Sequence, residues 1–165
     1  AELFRSGNSV TGIFGVALGS ILASQGLPSG DFAIITALHC LSVMTFMFSW
    51  NALNDYMDIE IDRINRPDRP LPSGEISEVA ARRGILSTAV LSVSFLIVAA
   101  HVSHSGEIGL DGWIPSLAIW MIALLLLFNY ESPSKLSFRM KDRGLPGNLA
   151  ISMSCLLYTS DAADD

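Results

Sequence analysis

The feature that most constrains this chain is where charge is missing. Four stretches carry no Asp, Glu, Lys or Arg: Ser6–Gly30, Phe32–Asn54, Gly84–Gly106 and Gly112–Tyr130, of 25, 23, 23 and 19 residues. A bilayer-spanning helix needs roughly 20 mostly apolar residues. The expected fold class is therefore all-α, a polytopic transmembrane helical bundle. Composition agrees, since half of the 165 residues are hydrophobic and only 16% are charged, against roughly 25% in a typical globular chain. A nucleic-acid binder, a secreted disulfide scaffold and a disordered tail are excluded. Cys40 and Cys155 are too far apart in sequence to suggest a disulfide framework or a metal knuckle. The net charge of −6 is partly a matter of the C-terminus, where three of the sixteen acids lie in the last five residues. No short apolar segment with a small-residue cleavage site precedes the first run, so a removable signal peptide is not expected.

The ten basic residues orient the spans. They are Arg5, Arg63, Arg66, Arg69, Arg82, Arg83, Lys135, Arg139, Lys141 and Arg143. If the four runs cross the membrane, these positions fall before the first, between the second and third, and after the fourth. The connections at 25–31 and 101–113 carry none. Short cytoplasmic loops hold the Lys and Arg excess, which places the N-terminus and segments 54–83 and 131–143 in the cytoplasm.

Within the spans, Gly15 and Gly19 have the spacing that allows close helix packing. Packing within one chain explains them better than a dedicated dimer motif. His39 lies mid-span and reads as a hydrogen-bonded interior histidine. His101 and His104 fall at the outer end of the third span without a third ligand nearby, so metal binding is not expected there.

The chemistry is concentrated where the second span ends. Asn54, Asp58 and Asp62 are spaced i, i+4, i+8, which puts them within an ~80° arc of one helix face, the last ~12 Å below the first. An amide and two carboxylates make an oxygen-only site, the kind Mg²⁺ takes together with water and phosphate oxygens. Asp55 lies about 100° round from Asn54, and Glu60 is also off the stripe; both rank as secondary. Arg63, Arg66 and Arg69 follow, and Pro67, Pro70 and Pro72 stop the helix from continuing. Arginine forks match phosphate oxygens. The stripe alone admits two readings, a metal-and-diphosphate site or a solvated helix end laced with weak surface ion pairs. The first is favoured because the carboxylates begin at the edge of an apolar span, where ionisable groups are costly and usually functional.

The run Asn54-Asp-Tyr-Met-Asp58-Ile-Glu-Ile-Asp62, followed by Asn65-Arg-Pro-Asp-Arg-Pro-Leu-Pro-Ser-Gly74, closely resembles the first aspartate-rich motif of the UbiA superfamily of intramembrane prenyltransferases. Its opening and its Asn-Arg-Pro-Asp-Arg-Pro run are most similar to the archaeal digeranylgeranylglyceryl phosphate synthases. Lys141-Asp-Arg-Gly-Leu-Pro-Gly-Asn148 resembles the basic segment leading into their fifth helix. Several expectations come with the resemblance. Asp58 and Asp62, with Asn54 assisting, would hold Mg²⁺. Arg66 and Arg69 would bind the diphosphate, joined by Tyr130 and by Lys135 or Lys141. A prenyl group, geranylgeranyl by the nearest resemblance, would pass from its diphosphate to the hydroxyl of geranylgeranylglyceryl phosphate in membrane ether-lipid synthesis. The superfamily has nine transmembrane helices and a second aspartate-rich motif between helices 6 and 7. Residues 1–154 therefore correspond to the N-terminal half of such a domain, four spans and part of a fifth, which alone would lack half of its metal site and be inactive. Residues 155–165 resemble a translated sequencing adaptor that interrupts an apolar helix starting near Gly144.

Other classes compete. A UbiA-type enzyme with an aromatic, porphyrin or quinone-precursor acceptor would share the same motif. A CDP-alcohol phosphatidyltransferase also spaces aspartates at a helix end, but its Asp-Gly…Ala-Arg element is absent before Asp58. A transporter or scaffold would be expected to carry ionisable groups at mid-membrane, where the four runs have only His39. The topology is testable by cysteine labelling at positions 29, 73, 105 and 134 in a background without the native cysteines. An impermeant reagent applied to intact cells should modify Ser29→Cys and Ser105→Cys but not Ser73→Cys or Ser134→Cys; equal access to all four would overturn the orientation.

Overall fold

A computed structural model describes residues 6–106 and 109–131. Among these, every regular element is a helix: α1 (Ser6–Ala23), α2 (Gly30–Met57), α3 (Ile59–Asn65), α4 (Glu78–Ser105) and α5 (Gly109–Glu131). The four charge-free runs fall on α1, α2, α4 and α5. Only α2 and α4, at 28 residues each, are long and apolar enough to cross a membrane by length and composition. The apolar parts described in α1 and α5 are shorter, Val10–Ala23 and Trp113–Ile122. At 1.5 Å per residue, α2 and α4 are ~42 Å long and outreach a ~30 Å hydrocarbon core. The surplus gives the charged residues at the ends of both helices room to lie outside the apolar layer.

Burial runs opposite to that of a water-soluble bundle. The largest fully buried side chains are those of Ser42, Ser92 and Ser103, whereas Phe14, Leu86, Val90 and Ile97 are exposed. Lipid tails are as apolar as Leu, so burying large apolar side chains between helices brings no gain in a bilayer. Small residues instead let the backbones approach and pack. The buried positions of α2 are Ile35, Ser42, Thr45, Ser49, Ala52 and Asp55, close to the three-four alternation of a left-handed helix pair. They face Ala81, Ser92, Leu96 and Ala99 of α4.

Reciprocal hydrogen bonds tie this seam. The Ser42 hydroxyl lies 3.0 Å from the Ser92 carbonyl, the Ser92 hydroxyl lies 2.9 Å from the Ser42 carbonyl, and the two hydroxyls are 3.1 Å apart. Nearer the polar end, Ser49 donates to the Ile85 carbonyl at 2.9 Å. The opposite face of α2 meets α1 at Gly12, where even a Cβ would come within 2.6 Å of the Met47 sulfur and 2.9 Å of Val43. The close approach is therefore at Gly12. Gly15, expected from its spacing to mediate packing, would place a Cβ in open space.

Helix ends explain where the elements depart from the charge-free runs. α4 begins six residues before its run because Ser77 caps it, its hydroxyl accepting from the Ala80 amide at 3.2 Å. α1 stops at Ala23 in a Schellman-type turn, with Gln25 at φ 51° and the Gly26 amide donating to the Ile21 carbonyl at 3.1 Å. Replacing both Ser42 and Ser92 with Ala should lower unfolding stability in detergent micelles by only about 1 kcal/mol, the scale of interhelical hydrogen bonds in membranes. Ser42→Leu should cost more, about 1–3 kcal/mol, because the larger side chain wedges the seam apart. Thermal unfolding of the two variants against the unchanged protein checks the order.

Candidate active site

The site is built where α2 gives way to α3. Asp58 carries the junction, at φ −88° and ψ 8°, just outside helical geometry. The hydrogen-bond ladder nevertheless runs through it. The Asp58 amide donates to the Asn54 carbonyl at 3.0 Å, Asp62 to Asp58 at 2.8 Å, and Arg66 to Asp62 at 2.8 Å. The i, i+4 stripe therefore survives across the junction, its backbone hydrogen bonds unbroken.

Residues 66–77 fold back over this end. The Ser73 amide donates to the Arg69 carbonyl at 2.9 Å, and the Ile76 amide donates to the Pro70 carbonyl at the same distance. Gly74, at φ 79°, takes the left-handed turn that an L side chain resists. Leu71 is the anchor. It is buried between Ala52 of α2 and Ala81 of α4, with Tyr56, Ile59, Ile76 and Ile85 packed around them. The two alanines leave the space that this leucine fills.

Anchoring Leu71 delivers Arg69 onto the acidic face. Its Nη1 lies 3.3 Å from Asp55 Oδ1 and 2.5 Å from Asp62 Oδ2. Asp55 and Asp62 are only 8% and 7% exposed, so these are buried charges that need this partner. One guanidinium nitrogen serves both carboxylates. Arg63, by contrast, makes exposed pairs with Glu60 at 2.6 Å and Glu78 at 3.6 Å. The first lies within α3 and the second bridges α3 to α4; both contribute little energy.

The structure thus regroups the expected residues. Asp62 and Arg69 come together as the motif suggests, and Asn54 and Asp58 are half-buried beside them on the stripe. Arg66 lies exposed at the end of α3. Asp55, ranked second from its angle to Asn54, is as buried as Asp62 and shares its arginine. The signal was in the spacing: seven residues on an ideal helix return to within ~20°, so Asp55 sits beside Asp62 even though it sits away from Asn54. Leu71 was not singled out at all; a lone apolar residue flanked by Pro70 and Pro72 was its only sequence signal. Tyr130 lies on the backbone of α5, and its side chain is outside the described residues. Lys135, Lys141, the helix expected from Gly144 and the tail at 155–165 are also outside them.

Among the described residues no three His, Cys, Asp or Glu side chains are gathered as a metal cage. The donors present are still oxygens suited to a hard cation, and Mg²⁺ is commonly held by one or two carboxylates with phosphate oxygens completing the shell. The residues fit one side of such a site.

Comparison with known proteins gives the family. The family model of the UbiA prenyltransferase family matches residues 12–157, and the chain belongs to that family; it is an integral membrane protein. It is 35% identical over 151 residues to the digeranylgeranylglyceryl phosphate synthase of Methanobrevibacter smithii, covering 91% of this chain and 46% of that protein. The enzyme of the same name from Ignicoccus hospitalis is 33% identical over 162 residues, covering 96% and 45%. That of Thermococcus kodakarensis is 48% identical over a shorter 81-residue match, covering 48% and 28%. The chain spans about half the length of the first two relatives. No solved structure matches it.

Removing the shared arginine should strand two buried carboxylates. Arg69→Ala is expected to lower stability in micelles by about 3 kcal/mol, and Arg69→Lys by less, since a single donor contact can persist. Adding Asp55→Asn to Arg69→Ala should recover part of the loss. Melting of the single and double variants measures the coupling.

Proposed function

We propose that the complete enzyme containing these residues is a Mg²⁺-dependent prenyltransferase of archaeal ether-lipid synthesis. It moves a prenyl group, geranylgeranyl on the closest resemblance, from its diphosphate to the hydroxyl of a lipid-like acceptor, geranylgeranylglyceryl phosphate. Its active-site loops face the cytoplasm. The observation that carries this reading is the buried Asp55–Arg69–Asp62 cluster at the end of an apolar helix, within a chain whose full-length relatives carry that enzyme's name.

The residues would divide the work as follows. Asp58 and Asp62, with Asn54 and Asp55 beside them, would hold Mg²⁺, whose charge would offset that of the departing diphosphate. Arg69, already at the carboxylates, and Arg66 in the exposed loop supply donors to the diphosphate oxygens. Tyr130, near the end of α5, and Lys135 or Lys141 beyond it would do so as well. The apolar helices keep water from the reacting carbon, which would otherwise be hydrolysed. The second half of the family's metal site comes from sequence beyond this chain, so the 165 residues alone are expected not to catalyse transfer.

In the complete enzyme, Asp58→Ala and Asp62→Ala should each lower kcat at least ~10²-fold, roughly 3 kcal/mol. Glu60→Ala, which loses only an exposed pair to Arg63, should cost far less. Prenyl transfer with Mg²⁺ titrated for each variant decides. Near wild-type kcat in both aspartate variants, with loss in Glu60→Ala, would overturn the assignment.

A further inference from the structure

The α2 stripe does not begin at Asn54. One turn deeper in the same helix stands Trp50, and one turn deeper again Phe46, so Phe46, Trp50, Asn54 and Asp58 follow at i+4 intervals. Helical side chains lean toward the N-terminus, which tilts Asn54 over Trp50 and Trp50 onto Phe46. The Phe46 and Trp50 rings are stacked, with centroids 5.9 Å apart and planes at 26°. Trp120 of α5 closes on Phe46 edge-to-face at 5.5 Å and 61°. Three aromatic rings from two helices thus form a wall directly above the polar end.

Two observations separate this wall from ordinary packing. The α2–α4 seam is made mainly of Ser, Thr and Ala, with Ile35 and Leu96, and neither Phe46 nor Trp50 is among its buried residues, so the bulk of these rings is not needed to hold the two long helices together. The Trp50 and Trp120 indole nitrogens are buried without a hydrogen-bond partner, a feature shared with Trp113 outside the wall. What the Trp50 ring offers its surroundings is its π face and one unused donor.

We propose that the face of Trp50, backed by Phe46 and Trp120, is the surface on which the allylic carbon of the prenyl diphosphate ionises. This rests on the functional reading above and adds a residue to it. A diphosphate held at Asn54, Asp58 and Asp62 has its first carbon one step further into the apolar layer, and a helical turn of ~5.4 Å is that step. The C1–O bond breaks with both electrons leaving on the diphosphate. The acceptor oxygen then bonds to C1, and the acceptor's proton leaves with the released diphosphate. Between those events the carbon bears positive charge where no carboxylate should reach it, because an anion there would capture it. An indole face attracts a cation without offering an electron pair for bond formation, and Trp is the strongest side chain in this role. Phe46 and Trp120 hold the indole in place and present further π surface to the start of the isoprenoid chain.

The test replaces Trp50 in the full-length enzyme, by site-specific incorporation, with tryptophans carrying one, two and four ring fluorines. These keep shape and packing but progressively remove the negative charge of the π face. The expected result is a stepwise fall in kcat, reaching at least ~10-fold with four fluorines, while KM for geranylgeranyl diphosphate changes less than ~2-fold. Trp50→Phe should retain more kcat than Trp50→Leu. An active wild-type enzyme with a flat fluorine series would overturn this proposal and leave the functional reading standing. A full-length wild-type enzyme with no prenyl transfer would overturn the functional reading itself.

Discussion

Everything at the polar end of this protein depends on one guanidinium shared by two buried carboxylates. Asp55 near the end of α2 and Asp62 in α3 sit about two helical turns apart on nearly the same face, and Arg69 reaches both from a loop fourteen residues beyond the first. Burying two anions of like sign on one face is tolerable only with a cation between them. That requirement dictates the loop. The chain must turn back sharply after α3, and its prolines, the left-handed Gly74 and the buried Leu71 bring it back. The cation that holds the two carboxylates together is also a donor of the kind that suits a phosphate.

The membrane determines the rest of the architecture. With lipid outside, apolar burial between helices has little driving force, and the seam is made by shape and by hydroxyls bonded to the facing backbone. Ser42 and Ser92 bring α2 and α4 together near their middles, and Ser49 and Ile85 continue the seam toward the site. Ala52 and Ala81 then leave the gap into which Leu71 inserts. The seam between the spans and the anchor of the active-site loop are one continuous packing surface. Displacing the helices at Ser42 would loosen the position of Arg69.

Much of this was legible beforehand. The charge-free runs mark the long helices because charge inside hydrocarbon is costly, and the i, i+4 spacing of Asn54, Asp58 and Asp62 marks the face because helical geometry is regular. Less legible were the features that depend on what lies opposite. The seam serines look like scattered polar residues in apolar runs until α4 is placed beside α2. Gly12 and Gly15 cannot be told apart as packing positions until Met47 is seen against the first and open space beside the second.

The sequence by itself determined the all-helical class, the long spans, the position of the acidic stripe and the arginine-proline loop after it, because these follow from local chemistry and helical period. It also identified the family, since the aspartate-rich motif is a contiguous run. Tertiary structure decided which acid shares Arg69 with Asp62, which residue anchors the loop and which glycine lets two helices meet. It also brought Trp120 of α5 against Phe46. Each of those is a contact between segments far apart in the chain, and such a contact depends on how the backbones pack rather than on the residues either segment carries.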